Sequence, residues 1–137
     1  PAGRPDMAIY RFVRGIVENE PITIYGDGSQ ERDFTHVHDV VRGTVAALKP
    51  SGFSVINLGG DRPVSLTKII SYIERSSGEK ALIEHTDRHP TDVEVTAADI
   101  RRAGQILGWR PRISLEDGIK ETVDWYMLNR HWAKHIY

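Results

Sequence analysis

The run Ile22-Thr23-Ile24-Tyr25-Gly26-Asp27-Gly28 leads, three residues later, into Arg32-Asp33-Phe34-Thr35-His36-Val37-His38-Asp39, and this stretch decides the fold. Residues 22–25 are β-prone, and the two glycines around Asp27 turn the chain. Residues 30–34 read as a second short strand, so the pattern predicts a hairpin. A helix is then expected through Val37, Val40, Val41, Thr44, Val45 and Leu48, ended by Pro50.

Upstream, Met7, Ile9, Tyr10, Val13 and Val17 fall on one face of a helix over residues 6–19, with Pro5 and Asp6 suited to its start. Downstream, residues 53–58 form a β-prone run ending in Asn57-Leu58-Gly59-Gly60. Ser65 is a plausible N-cap for a helix carrying Leu66, Ile69, Ile70 and Ile73, which Gly78 stops. A short strand is expected over 81–84 and a polar loop over 85–95. A helix follows from Asp99 to Leu107, stopped by Gly108. Ser114 and Asp117 have capping-box spacing before a last helix with Ile119, Val123 and Tyr126 inward. Helices over short strands make this an α/β chain, a single unit over residues 1–137.

Composition narrows the function. The chain holds 18 basic and 19 acidic residues, so no net field draws it to nucleic acid or to an anionic membrane. It has no cysteine, which removes disulfides, thiolate nucleophiles and cysteine metal sites. No apolar run is long enough to span a bilayer, and the cytoplasm is the default compartment. The chain opens at Pro1 without an initiator methionine, which reads as processing or as removal of a preceding domain.

Several catalytic signatures are missing. There is no Gly-x-Gly-x-x-Gly or Gly-x-x-x-x-Gly-Lys loop, no Tyr-x-x-x-Lys and no Gly-x-Ser-x-Gly. His36 and His38, or His85 and His89, could touch a metal, but neither pair has an obvious third ligand, and no metal site is assigned. Three arginines stand in loops where an anion could be held: Arg4, Arg32 and Arg88. Taken singly, each is better read as a surface ion pair.

The order of the segments changes that reading. Gly3-Arg4-Pro5-Asp6-Met7-Ala8 resembles the loop after the sixth strand of UDP-glucuronate 4-epimerases. The stretch from Ile22 to Asp39 resembles the "nG.q.RDf..v.D" signature of extended short-chain dehydrogenases/reductases. Asn57-Leu58-Gly59, Asp92-Val93 with Thr96 and Asp99, Leu107-Gly108-Trp109-Arg110-Pro111 and Trp125-Tyr126 follow in the family's order. The resemblance implies the small C-terminal substrate-binding portion of such an enzyme, with the NAD-binding Rossmann half absent. NAD and the Tyr-x-x-x-Lys pair would belong to that other half, so no catalytic or cofactor-binding residue is assigned here.

By the same resemblance, the ligand is a UDP-sugar. Arg32 matches the arginine that contacts diphosphate and ribose, Arg88 a second phosphate arginine, and Asp92 an acid that contacts ribose. Tyr25 stands beside the base. Arg4 matches an arginine of the sugar-facing loop, where it could sense a C6 carboxylate. One spacing departs: Arg88 is four residues before Asp92, where some relatives have three, so His89 competes for the role. Trp109 and Trp125 read as packing residues, and Asp33 and Asp39 as braces of loops and a helix start. The implied enzyme is a UDP-glucuronate or UDP-glucose/galactose 4-epimerase. A 4,6-dehydratase, decarboxylase or reductase of the same fold, or a non-catalytic binding module, are the alternatives. Apolar faces on the 37–48 helix and the 53–58 segment would lack cover, so a homo-oligomer is expected.

Overall fold

The computed structural model of the chain describes residues 7–48, 52–88 and 90–136. Its elements run α1 (Ala8–Val17), β1 (Pro21–Tyr25), β2 (Glu31–Arg32), α2 (Val37–Ala46), β3 (Val64–Ser65), α3 (Leu66–Ser77), β4 (Leu82–Thr86), α4 (Arg101–Leu107) and α5 (Leu115–Ala133).

Helices α1, α3 and α5 pack together over β1. Val13 and Ile16 of α1, Ile24 of β1, Ile69 and Ile73 of α3, and Ile119, Val123 and Tyr126 of α5 are all buried in this one cluster. The expected apolar stripes of α3 and α5 therefore do face the core. In α1 the stripe is rotated: Phe12 and Ile16 are buried, while Met7 is exposed. A smaller cluster joins Ile100, Ala103 and Trp109 to Ile56, Leu58, Ala98 and Leu107.

The cap residues act as the sequence predicts. The Ser65 hydroxyl accepts from the Lys68 amide and the Ser114 hydroxyl from the Asp117 amide. Gly78 and Gly108 close their helices in the left-handed conformation.

Strand pairing differs from the expected hairpin. β1 pairs in parallel with β4, from Pro21 opposite Leu82 to Tyr25 opposite Thr86. β2 has only two residues and pairs antiparallel with β3. The turn after β1 explains why the chain does not fold straight back. Gly26 and Gly28 both take positive φ (79° and 80°), and the Asp27 carboxylate accepts from the Ser29 amide and hydroxyl. The Gly26 amide meanwhile donates to the Thr86 carbonyl, which commits the end of β1 to β4.

Helix α2 forms where the sequence places it, and its valine face is uncovered, as expected. Val37, Val41, Val45 and Leu48 are exposed, and Asp39 and Gly43 face inward instead. Gly43 is required there, because a Cβ would lie 2.7 Å from Leu58 and 2.9 Å from Trp109 Nε1. Residues 53–58 form no strand: Phe53 and Val55 are exposed, and no described residue pairs with them. The expected strand over 81–84 runs two residues further, so His85 and Thr86 belong to β4 rather than to a loop.

Candidate functional site: an arginine pair at the ends of two parallel strands

β1 and β4 end side by side, at Tyr25 and Thr86. Crevices at the carboxyl ends of parallel strands are common ligand sites. Tyr25 is half exposed there, and its carbonyl accepts from the side-chain amide of Gln30, which is itself buried. His85 Nδ1 lies 2.7 Å from the Gly26 carbonyl; a carbonyl only accepts, so the ring proton sits on Nδ1. These two contacts fix the turn. The aliphatic part of Arg88 stands where a Cβ on Gly26 would just meet it, at ordinary van der Waals distance.

Arg32 leaves β2 toward the same place. Its Nη2 donates to Asp92 Oδ1 at 2.5 Å, and its Nη1 donates to the carbonyls of Glu31 and Glu94 at 2.8 and 3.3 Å. Arg88 Nη2 donates to the Asp92 carbonyl at 3.0 Å, and its Nη1 lies 3.7 Å from Glu94 Oε1. Segment 94–96 is held along β2 by backbone bonds: Glu31 N–H to the Glu94 carbonyl, and Thr96 N–H to the Glu31 carbonyl. Arg32 and Arg88 therefore meet on Asp92, and Tyr25 ends the strand just before the Gly26 turn that Arg88 adjoins. Arg4 and His89 lie outside the described residues.

Gln30, His85 and Glu94 are parts of this cluster that sequence reasoning missed. Gln30 leaves a trace in the sequence, as a lone amide between a glycine turn and a charged pair. Glu94 acts mainly through its backbone carbonyl, which no residue type can signal.

The neighbouring acids brace the frame. The Asp33 carboxylate accepts from the Ala98 amide through Oδ2. Its Oδ1 is buried with no hydrogen bond among the described residues. Asp39, only 2% exposed, accepts from the Arg112 and Ile113 amides at 2.9 Å each and from Arg42. Burial alone would raise its pKa. Donation from Ile113, Arg42 and Arg112 outweighs that and holds the carboxyl below the usual range. Trp109 is buried and donates to the Asp39 carbonyl, which makes it a packing residue, as expected.

Two histidines acquire a third neighbour that the sequence did not reveal. The ligand atoms of His36, His38 and Glu121 lie within 4.8 Å of one another. His36 Nδ1 accepts the His38 amide as the cap of α2, and Nε2 faces Glu121 at 3.3 Å. With Nδ1 accepting, the neutral ring carries its proton on Nε2, aimed at Glu121. A metal on Nε2 would drive that proton to Nδ1 and break the cap, so the trio is explained as capping and hydrogen bonding.

Several cavities lie elsewhere. One, of ≈ 630 Å³, is mostly apolar and runs between Met7, Phe34, Val37 and Leu115; another, of ≈ 580 Å³, is lined by Arg101, Arg110 and Arg112; a third, of ≈ 500 Å³, includes Arg62, Tyr72 and Arg112. None of these is lined by Arg32 or Arg88. Among the described residues, no helix is long and apolar enough to cross a membrane.

A family model described as GDP-mannose 4,6-dehydratase matches residues 4–122. The chain belongs to the NAD-dependent epimerase/dehydratase family, the extended short-chain dehydrogenases/reductases. A UDP-glucuronate 4-epimerase of Thermodesulfobacterium geofontis is 51% identical over 99% of this chain. Among solved family members, MoeE5 in complex with UDP-glucose and NAD matches with a TM-score of 0.88 and 36% identity, covering 93% of this chain and 43% of that one. The UDP-glucuronic acid 4-epimerase of Bacillus cereus, in complex with UDP-glucuronic acid and NAD, matches with a TM-score of 0.81 and 39% identity, covering 97% and 41%. The chain spans 42% of the length of the Thermodesulfobacterium protein. Its small α/β architecture is that of the compact C-terminal module of the family, without a full Rossmann fold.

Proposed function

We propose that this chain is the nucleotide-sugar-binding portion of an NAD-dependent UDP-sugar 4-epimerase acting on UDP-glucuronate or UDP-glucose/galactose. The observation that carries the proposal is the meeting of two arginines on Asp92, although Arg32 is 60 positions from that residue. A diphosphate is the group such a pair suits, because guanidiniums bind phosphate oxygens in fork geometry. Relatives whose names specify UDP-glucuronate, or whose structures hold UDP-glucose, support the choice of nucleotide and sugar. In this reading Arg32 and Arg88 hold the diphosphate, Tyr25 flanks the base, and Arg4 faces the sugar.

NAD does not fit the residues present. The sequence has no Gly-x-Gly-x-x-Gly loop and no Tyr-x-x-x-Lys pair, so the cofactor and the acid–base step are assigned to other parts of a longer protein. The role of this chain is to bind and orient the substrate, which lowers the entropic part of the barrier. The isolated 137 residues are expected to turn over no sugar nucleotide; sustained epimerisation by the purified chain would contradict this. The description of the family model favours a 4,6-dehydratase as the second reading. Self-association and a cytoplasmic location complete the proposal.

The test is a map of amide shifts on titration with UDP. Shifts concentrated at residues 24–26, 31–33 and 86–94 are expected. Shifts confined to the cavity near Arg62 and Arg112 would move the site and overturn the assignment.

A further inference from the structure

We propose that Asp92 is a positioning residue for the diphosphate, holding the guanidiniums of Arg32 and Arg88 toward one anion. The inference rests on the reading that these two arginines bind the diphosphate. It differs from the ribose contact that family resemblance implies for this aspartate.

One residue engages both arginines through different groups. Its carboxylate takes Arg32 and its backbone carbonyl takes Arg88. Oδ1 is already committed, at 2.5 Å and charge-assisted, to a guanidinium. Asp92 stands two residues before the segment 94–96 that is bonded along β2, the strand that carries Arg32. The arrangement solves two problems. Arginine has a long stem whose ordering on ligand binding costs affinity, and prior ordering removes that cost. Two guanidiniums on one anion also repel each other, and a carboxylate beside them offsets the repulsion. Arg32 is not exhausted by its contacts, since a guanidinium has more N–H donors than these three bonds use.

Inorganic pyrophosphate separates the two roles, because it has the diphosphate and no ribose. Binding of pyrophosphate, UDP and uridine to the 137-residue chain is measured by NMR titration for wild type, Asp92→Ala and Asp92→Asn. Positioning predicts that Asp92→Ala weakens pyrophosphate and UDP alike, by about tenfold. Asp92→Asn, which keeps an acceptor for Arg32, should recover part of the loss. Should the alanine variant fail to fold, the asparagine variant carries the same test with a smaller loss. Unchanged pyrophosphate binding with weakened UDP and uridine would make Asp92 a ribose contact and overturn the proposal. Tighter pyrophosphate binding would make it a competitor for the arginines and overturn it equally. A wild-type chain that binds UDP but not pyrophosphate would also overturn it. A wild type that binds neither refutes the proposed function instead.

Discussion

Replacing Asp39 tests the frame behind the arginine site. This buried carboxylate gathers the start of α2, the 112–113 backbone and Arg42. In Asp39→Ala the Arg112 and Ile113 amides lose their acceptor and Arg42 loses its carboxylate partner while keeping the Arg110 carbonyl. Leaving a buried donor unsatisfied costs about 1–3 kcal/mol. The two amides are only partly buried and the lost charge-assisted bond adds to them, so a total of about 2–5 kcal/mol is expected. That is a large share of the roughly 5–15 kcal/mol available to a domain. Asp39→Asn should cost less, because one oxygen still serves the amides while the new NH2 group faces Arg42. The pH dependence has a definite sign. The folded pKa lies below the unfolded value of about 3.9, so the contribution is fully present above that value and is lost as pH falls through the lower, folded one. Urea unfolding at neutral pH, followed by circular dichroism, measures the loss. A midpoint for Asp39→Ala that, with unchanged slope, places it within about 0.5 kcal/mol of wild type would refute the reasoning.

A second carboxylate joins the end of α1 to α5. Glu18 accepts from Arg130 Nε at 2.9 Å, from Arg130 Nη2 at 3.1 Å and from the Tyr126 hydroxyl at 2.9 Å. The Arg130 bond is the main reason its pKa is depressed, and burial and Glu18 together push the Tyr126 hydroxyl up. Glu18→Gln should cost about 1–3 kcal/mol at neutral pH, and the difference from wild type should shrink as pH falls through the depressed folded value of Glu18; an acid titration of stability checks both. Exposed Val37, Val41, Val45 and Phe53 should drive concentration-dependent association, visible by light scattering, and Val41→Lys with Val45→Lys should suppress it.

Much of the fold was legible because its signals are local. Ser65, Gly78, Gly108 and Ser114 act within a turn or two of their own positions, and Ile69, Ile70 and Ile73 mark a face that is buried by their own helix's packing. Strand pairing was not legible. Whether β1 meets β2 or β4 depends on partners far along the chain, and the glycine turn after residue 25 serves either outcome. The uncovered valine face of helix α2 was legible, but its inward face was not, for a physical reason. Its valines are periodic, yet its inward face is built from an acid that accepts backbone amides and a glycine that admits Leu58 and Trp109. Residues 53–58 have strand composition without a strand partner among the described residues. In the site, resemblance singled out Arg32, Arg88 and Asp92, and the structure adds that both arginines bond to Asp92. Gln30 left a trace beside the glycine turn, whereas the supports from His85 and the Glu94 carbonyl depend on three-dimensional placement, which sequence alone could not supply.

The most direct measurement is UDP affinity by calorimetry for wild type, Arg32→Ala and Arg75→Ala. Arg75 is exposed on α3 and pairs with Glu116, away from the cluster. A charge-assisted bond to phosphate contributes about 1.5–3 kcal/mol, or about 10- to 150-fold in affinity. Arg32→Ala should lose about that factor while Arg75→Ala matches wild type, and added salt should narrow the gap by screening the site. Equal affinities for all three proteins would make Arg32 an ordinary surface charge and contradict the assignment of the diphosphate site.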